Sequence, residues 1–358
     1  MRYGSASVCR GMTRSPDAAA LAAALLLVAA CSSDEDPLGV DAPLVFDPAD
    51  GVDSTLVDTS ATGPQPNPAD GDPGRDTLPI GGGASVGEGG VAFAVIGDFG
   101  LEGPAALAVS RLVAGWDPAL VITTGDNNYV YGELETSDEN VGQYYCEFIY
   151  NPDAPEGYVC GGRSAADSTN RFFPSVGNHD YMAGDGIEPY LAYFTLPGNE
   201  VYYSFRRGPV AFYALDSENA GTFEAQRTWL AGQTAANADA LDHVAYFHRP
   251  PYSTGRHGDR PAMQWDFEAL GVDVVLSGHE HNYQRVAAPA ARLYLVNGVG
   301  GAGLREDCYR QASAAREVVF CEDDFHGALF ATADADSLSF AFATTAGDVL
   351  DRVAIAPR

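Results

Sequence analysis

Five short apolar segments of this chain each end at a residue with an oxygen or nitrogen lone pair. AVIG is followed by Asp98, VITTG by Asp126, PSVG by Asn178, HVAYF by His248 and VVLSG by His279. Short segments rich in β-branched and aromatic residues predict buried strands. Because ligands of α/β proteins gather at the carboxyl ends of strands, the pattern predicts a sheet-based domain with these five side chains along one edge.

Helical and strand patterns alternate early in the chain, and strand patterns dominate later. Apolar residues at helical spacing predict helices over about 104–116 and 222–235. Residues 328–355 alternate in polarity as antiparallel strands do. Together these patterns predict an α/β fold in which two sheets form a βαβ sandwich flanked by helices. We place this domain at residues 91–356.

The segment before the domain has a different composition. Residues 1–30 combine three arginines with an apolar run that ends in VAAC, which is typical of a bacterial lipoprotein signal peptide with Cys31 as the lipidated residue. An ordinary cleaved secretion signal is the alternative. Residues 31–90 are rich in Asp, Pro and Gly and predict a disordered acidic tether. Either signal predicts export to the periplasm or beyond the cell; lipidation adds a membrane anchor at the outer membrane or cell surface.

The charge of the chain excludes several functions. The formal net charge is -29, and the 20 basic residues are all arginines. Without lysine, the chain has no lysine nucleophile and forms no Schiff base. The acidity also argues against a nucleic-acid partner, which requires a basic surface. A small anionic substrate remains compatible with the charge, provided that cations lie in its site.

Four cysteines remain in the exported chain once Cys9 and Cys31 are assigned to the signal and the lipid. They are Cys146, Cys160, Cys308 and Cys321. An even number in an oxidising compartment predicts disulfides. Three pairings are possible, and the local one, Cys146 with Cys160 and Cys308 with Cys321, is the simplest.

The polar residues at the strand ends are typical metal ligands. They offer carboxylate, amide and imidazole donors without a thiolate, a set that suits iron, manganese or zinc. A single Gly-Asp after a strand more often forms a turn, and Tyr129, three residues after Asp126, is equally compatible with simple packing. The conjunction of five strand ends, with His279 and His281 spaced as His-x-His, is far more specific. We assign His243 and His326, which lie outside the pattern, to the surface or to packing.

The motifs GDFG, GDNNY, GNHD, FHRPPY and GHEH resemble the five conserved blocks of the calcineurin-like metallophosphoesterases. They are most similar to those of purple acid phosphatases, nearest the small tartrate-resistant type. The wider superfamily has Asp-x-His in its first block, whereas Gly100 takes the histidine position here. Purple acid phosphatases have instead a tyrosine three residues after the second aspartate, which matches Tyr129. The resemblance implies a four-layer α/β/β/α fold.

The resemblance also implies a binuclear metal centre, with Fe(III) beside a divalent Fe, Zn or Mn ion. Asp126 would bridge the two ions. The first ion would be held by Asp98, Asp126, Tyr129 and His281, and the second by Asp126, Asn178, His248 and His279.

The activity implied is hydrolysis of phosphate monoesters through attack by a metal-bound hydroxide. His179, beside Asn178, is the predicted proton donor, and His257 matches a second substrate-facing histidine. Asp180 would either orient His179 or cap its turn. Arg256 would either contact the phosphate or lie on the solvent-exposed surface, and we favour the surface.

Two other functions are compatible with the same motifs. A phosphodiesterase or nucleotidase would use the same metals with a different pocket, shaped by the insertion at 131–170 and the GVGGAGL loop. A non-enzymatic lipoprotein scaffold would have lost ligands, and the only departure from the family pattern is the histidine that Gly100 replaces.

Overall fold

The computed structural model describes residues 78, 86–152, 169–311 and 316–358. The predicted signal peptide, Cys31, nearly all of the predicted tether and Cys160 lie outside these residues. No helix in the described ranges is both long and apolar enough to cross a membrane.

The described residues form thirteen strands and four α-helices. The strands are β1 (Val91–Ile96), β2 (Leu120–Thr123), β3 (Phe172–Pro174), β4 (Tyr203–Arg207), β5 (Val210–Ala214), β6 (Asp242–Tyr246), β7 (Val274–Ser277), β8 (Tyr283–Ala287), β9 (Leu293–Asn297), β10 (Glu317–Glu322), β11 (Gly327–Ala333), β12 (Leu338–Thr344) and β13 (Val349–Ile355). The helices are α1 (Pro104–Trp116), α2 (Gln143–Tyr145), α3 (Glu188–Tyr193) and α4 (Phe223–Ala236).

The strands form two mixed sheets. The first sheet has the order β13-β12-β11-β1-β2-β3, and the second has the order β10-β8-β9-β7-β6-β5-β4. Strands β1, β2 and β3 run parallel to one another, and so do β5, β6, β7 and β9. Parallel strands place their carboxyl ends at a common edge, so each sheet has one edge where several strand ends meet.

The main hydrophobic core lies between the two sheets. Phe93 of β1 contacts Phe212 of β5 with ring centroids 5.1 Å apart, and Tyr283 of β8 stacks on Phe342 of β12 at 4.2 Å. Burial of aromatic side chains of this size is among the largest favourable contributions to stability. The inner faces of the two sheets are therefore packed directly against each other.

Helices cover the outer faces of the sandwich. On the first sheet, Trp116 at the end of α1 packs on Phe330 of β11. On the second sheet, Leu230 of α4 joins a separate buried cluster with Tyr213 and Phe247. The predicted α/β two-sheet sandwich with flanking helices is thus confirmed. The helix predicted at 104–116 has the observed bounds of α1, and the second predicted helix lies one residue from α4.

One predicted disulfide lies within the described residues. Cys308 and Cys321 are bonded, and the bridge ties the segment after β9 to the edge strand β10. Cys146 is also disulfide-bonded, whereas its predicted partner, Cys160, is outside the described residues. The predicted insertion begins with short helical turns at Leu134–Thr136, Asp138–Gly142 and α2, instead of being irregular throughout.

Candidate metal centre

The loops after β1, β2, β3, β6 and β7 meet at one end of the sandwich. They bring together all seven side chains predicted as metal ligands. Asn178 is half-buried, and the other six are buried, with at most 5% of each exposed. The set is Asp98, Asp126, Tyr129, Asn178, His248, His279 and His281.

One half of this cluster is built around the hydroxyl of Tyr129. The hydroxyl oxygen lies 3.2 Å from Oδ1 of Asp98, 3.0 Å from Oδ2 of Asp126 and 3.3 Å from Nε2 of His281. Nε2 of His281 is 3.5 Å from Oδ1 of Asp98. The phenol therefore faces other potential ligand atoms and is not simply packed beside a turn.

The other half is built around Nε2 of His248. This nitrogen lies 3.0 Å from Oδ1 of Asn178, 3.1 Å from Nδ1 of His279 and 3.2 Å from Oδ2 of Asp126. Ligand atoms of Asp126, His248 and His279 all lie within 4.8 Å of one another. Asp126 thus contacts both halves, as a residue shared between two ions would.

Backbone carbonyls fix the orientation of two of the histidines. Nδ1 of His248 lies 2.9 Å from the carbonyl oxygen of Thr124, and Nδ1 of His281 lies 2.6 Å from that of Gly303. Each Nδ1 must carry the proton to make this hydrogen bond, which leaves the lone pair of Nε2 directed at the cluster. Metal-binding histidines commonly have this arrangement.

A glycine precedes four of the seven predicted ligands, where the backbone is strained or closely packed. Asp98, Asp126 and His279 have φ angles of 53°, 52° and 70°, a left-handed conformation that is uncommon outside glycine and concentrates at functional sites. The preceding chain also passes very close to the ligands. A Cβ at Gly177 would lie 2.2 Å from Oδ1 of Asp126, and one at Gly278 would lie 2.5 Å from Oδ2 of Asp98.

The buried carboxylates create a demand for positive charge. Burial, with the nearby Asp126 carboxylate adding to it, outweighs the opposing effect of His248 and raises the pKa of Asp98 to about 8. For His248, burial opposes protonation, but Asp126 and Asp98 outweigh it and raise its pKa to about 10. Two buried carboxylates thus depend mainly on the imidazole of His248, with a further contribution from His179 at Asp126, for compensating positive charge. A bound cation would stabilise such a site.

The other two histidines of the cluster are held neutral. Burial and then Arg305 lower the pKa of His281 to about 3, and burial and then Arg249 keep the pKa of His279 well below its ordinary value. Neutral imidazole is the form that coordinates metals. The donor set therefore fits a metal centre.

His179 and Asp180 lie beside the cluster in different roles. The His179 ring is 4.2 Å from the Tyr129 ring, its Nδ1 lies 2.6 Å from the carbonyl oxygen of Val130, and its Nε2 is 4.0 Å from Oδ2 of Asp126. Asp180 accepts hydrogen bonds from the backbone N–H groups of Gly177 and Asn127. Of its two predicted roles, the structure shows the cap of the turn.

His257 approaches the cluster from the loop after β6. Its ring lies 4.2 Å from the His279 ring. The other two histidines lie outside the cluster as expected, with Nδ1 of His243 2.8 Å from the Tyr213 hydroxyl and Nδ1 of His326 3.1 Å from the Val299 carbonyl oxygen.

Three charged residues near the cluster were not predicted from the sequence. Arg249 lies 3.0 Å from Nε2 of His279, Arg305 lies 2.5 Å from Nε2 of His257, and the buried Glu280 lies between the two histidines of the His-x-His motif. Arg256, by contrast, is exposed as predicted. Arg249 directly follows the predicted ligand His248 in a chain without lysine, and this position was the signal that could have identified it. No comparable signal identified Arg305.

Comparison with known proteins identifies a family and individual relatives. Residues 91–283 match the calcineurin-like phosphoesterase family. Purple acid phosphatase 23 of Arabidopsis thaliana is 29% identical over 245 residues, which is 58% of this chain and 52% of that protein. The chain spans about half the length of the curated relatives it matches.

Two solved structures are similar in fold. Purple acid phosphatase PPD1 from yellow lupin (Lupinus luteus) seeds has a TM-score of 0.59 and 19% identity, covering 77% of this chain and 55% of that one. GAP50, described as the anchor in the inner membrane complex of Plasmodium, has a TM-score of 0.57 and 15% identity, covering 75% of this chain and 89% of that one. At these identities the likeness concerns the fold.

Proposed function

Because the chain belongs to the calcineurin-like phosphoesterase family, we propose that it is an exported binuclear-metal phosphatase that hydrolyses phosphate monoesters. The observation that carries the proposal is the sharing of Asp126. Its carboxylate oxygen Oδ2 lies 3.0 Å from the Tyr129 hydroxyl and 3.2 Å from Nε2 of His248. One carboxylate thus faces two sets of donors, as a binuclear centre requires.

The residues fit two ions of different charge. A phenolate and carboxylates are hard anionic donors that favour Fe(III), whereas an amide oxygen and two neutral imidazoles suit a divalent Fe, Zn or Mn ion. When bound, such a pair supplies Lewis-acid activation of phosphoryl oxygens and lowers the pKa of a coordinated water. Asp98, Tyr129 and His281 would hold the first ion, Asn178, His248 and His279 the second, and Asp126 both.

His179 is the residue best placed to move a proton. With Nδ1 donating to the Val130 carbonyl, its Nε2 faces Asp126 at the edge of the cluster. Its side chain is 14% exposed, so it can contact both the substrate and the solvent. We assign it the role of protonating the leaving alkoxide, a general-acid step that contributes about 10² to 10⁴ in rate.

The fold alone does not distinguish an enzyme from a binding protein. It is shared with a purple acid phosphatase and with a protein described as an anchor. The proposal therefore depends on the donor set, which has every position of the purple acid phosphatase pattern filled.

Metal analysis combined with ester kinetics tests the proposal. Purified protein should contain two metal ions per chain, show a visible tyrosinate-to-Fe(III) absorption band, and hydrolyse 4-nitrophenyl phosphate faster than bis(4-nitrophenyl) phosphate. The reverse preference would favour the phosphodiesterase alternative. A colourless and fully active zinc protein would refute the iron assignment, and a protein that neither binds metal nor hydrolyses either ester would refute the whole proposal.

Export and anchoring form a separate part of the proposal, supported by the sequence of residues 1–31. Lipid on Cys31 would hold the domain at a membrane surface through the acidic segment that follows it. Cys31→Ala should move the protein from the membrane fraction to the soluble fraction of a bacterial host, with its phosphatase activity retained. Equal membrane retention of the variant would contradict lipidation.

A further inference from the structure

The glycine-rich loop after β9 carries an arginine to the edge of the candidate metal centre. We infer that Arg305 binds an unesterified phosphoryl oxygen of the substrate and thereby selects phosphate monoesters over diesters. The inference rests on the proposed function and extends it to a residue outside the ligand set. Its support comes from the contacts of the loop, the charge of the surroundings and the position of His257.

Two hydrogen bonds fix the loop to a predicted metal ligand. The carbonyl oxygen of Gly303 accepts from Nδ1 of His281 at 2.6 Å, and the backbone N–H of Arg305 donates to the carbonyl oxygen of His281 at 3.2 Å. The position of Arg305 relative to the centre is therefore set by the same residue that would hold the first ion.

The guanidinium of Arg305 keeps its charge available. The chain has 49 acidic residues and 20 arginines, yet among the described residues no carboxylate oxygen lies within 4 Å of this guanidinium. Arg249, the other arginine at the centre, is paired with Glu218 at 2.7 Å. The side-chain partner of Arg305 is instead the imidazole of His257, since Nη1 of Arg305 lies 2.5 Å from Nε2 of His257. The nearby Asp307 interacts with Arg305 electrostatically but is not paired with it within 4 Å in the described ranges. A half-buried guanidinium whose direct side-chain contact is an imidazole is suited to binding an anion.

A buried carboxylate holds the loop that carries His257. Oε1 of Glu280 accepts from the backbone N–H groups of His257 at 3.0 Å and Gly258 at 2.8 Å, and from the Ser253 hydroxyl at 3.1 Å. The loop also packs closely on the other oxygen, since a Cβ at Gly255 would lie 2.3 Å from Oε2 of Glu280. His257 is therefore a positioning residue, held beside His279 and holding Arg305 in turn.

The number of phosphoryl oxygens explains why this cation would favour monoesters. A monoester has three unesterified oxygens and up to two negative charges, whereas a diester has two such oxygens and one charge. With two oxygens engaged by a binuclear centre, only the monoester has a third oxygen for an additional donor. A charge-assisted hydrogen bond from Arg305 to this oxygen would contribute to monoester binding alone.

Calorimetric titration of the metal-loaded full chain with orthophosphate tests the inference independently of turnover. Arg305→Gln should weaken orthophosphate binding about tenfold or more, and Arg305→Lys should recover part of the loss. Arg310→Gln removes the same charge from an exposed position five residues away and should bind orthophosphate like the wild type. His257→Ala should weaken binding in the wild type and add little in the Arg305→Gln background.

Ester kinetics supply the second readout. Arg305→Gln should raise KM for 4-nitrophenyl phosphate while leaving kcat/KM for the bis(4-nitrophenyl) diester within about twofold, with metal content unchanged. Equal orthophosphate affinity in Arg305→Gln and Arg310→Gln, or loss of metal from both Arg305 variants, would overturn the inference while an active wild type leaves the proposed function intact. A wild type that hydrolyses neither ester would overturn both.

Discussion

The two halves of the candidate metal centre differ in the charge of their donors. Asp98 and Tyr129 give the first half two side chains that can be anionic, whereas Asn178, His248 and His279 in the second half are neutral as ligands. Asp126 contacts both halves. A hard anionic donor set stabilises a more highly charged ion, and this difference is the basis for proposing a trivalent ion in the first half and a divalent ion in the second.

The groups that contact the histidines from outside the cluster also differ between the two halves. In the second half, Arg249 lies 3.0 Å from Nε2 of His279, so a permanent positive charge sits next to the ligand. In the first half, Nδ1 of His281 instead contacts the carbonyl oxygen of Gly303, which is the negative end of a dipole. An arginine lies near each half, since Arg305 lowers the pKa of His281 and Arg249 is paired with Glu218, so the two halves differ in these direct contacts rather than in the presence of a cation.

Asp126→Asn should disable both halves of the centre at once. The substitution removes the one charge that they share, so we expect both ions to be lost and turnover to fall about a thousandfold or more. Metal content and 4-nitrophenyl phosphate hydrolysis measure this directly. Asp239→Asn, an equal charge change at an exposed residue, is the matched control. Retention of both ions and of activity in Asp126→Asn would revive the scaffold alternative.

Gly278→Ala should distort the centre through space rather than charge. The added Cβ would lie 2.5 Å from Oδ2 of Asp98 and 2.9 Å from the Thr124 carbonyl oxygen, so the first-half aspartate must move. We expect turnover to fall about a hundredfold, equivalent to about 2.7 kcal/mol in barrier height. Gly232→Ala, within α4, is the control, because beyond the adjacent residues and helix backbone its added Cβ has no atom within 4 Å, and a helix favours alanine. An unaffected Gly278→Ala protein would show that the close approach is not required.

Tyr129→Phe should change the first half of the centre alone. Loss of the phenolate removes an anionic donor and the charge-transfer band, and we expect turnover to fall about tenfold, equivalent to about 1.4 kcal/mol. Visible absorption and iron content are the measurements. Tyr131→Phe, on the same loop with 45% exposure, should keep the colour. Colour that survives in Tyr129→Phe would rule out this tyrosine as the iron ligand.

Asn178→Asp should have the smallest effect and acts on the second half. An added carboxylate makes this half more like the first, so we expect tighter binding of the divalent ion with only a few-fold loss of turnover. Metal-exchange rates measured by chelator competition would report the change. Weaker retention of the divalent ion in the variant would contradict the assignment of Asn178 to that ion.

The side chains at the strand ends could be predicted because each belongs to a short contiguous motif in the sequence. At four of the five strand ends a glycine and then a polar residue follow the buried strand, and His248 follows its strand without a glycine. The two-sheet fold and its family are predicted from the same segments. The positions of Tyr129 and His179 also follow from short spacings to Asp126 and Asn178.

The surroundings of the cluster could not be predicted in the same way. Arg305 and His257 are 48 residues apart in the chain, and their contact depends on how two loops meet. The side chain of Glu280 lies between two predicted ligands, but its role depends on the backbone of the loop at 253–258. Asp180 had two compatible roles from sequence, and only the positions of Gly177 and Asn127 distinguish them.

The seven predicted metal ligands come from loops of both sheets, and this has a mechanical consequence. Four of them, Asp98, Asp126, Tyr129 and Asn178, lie on loops of the first sheet, and the three histidines lie on loops of the second. Bound ions would therefore cross-link the two layers at one end, and their binding free energy would add to the cohesion of the whole sandwich. Chelation should lower the melting temperature as well as abolish hydrolysis, and the layers should separate first at this end.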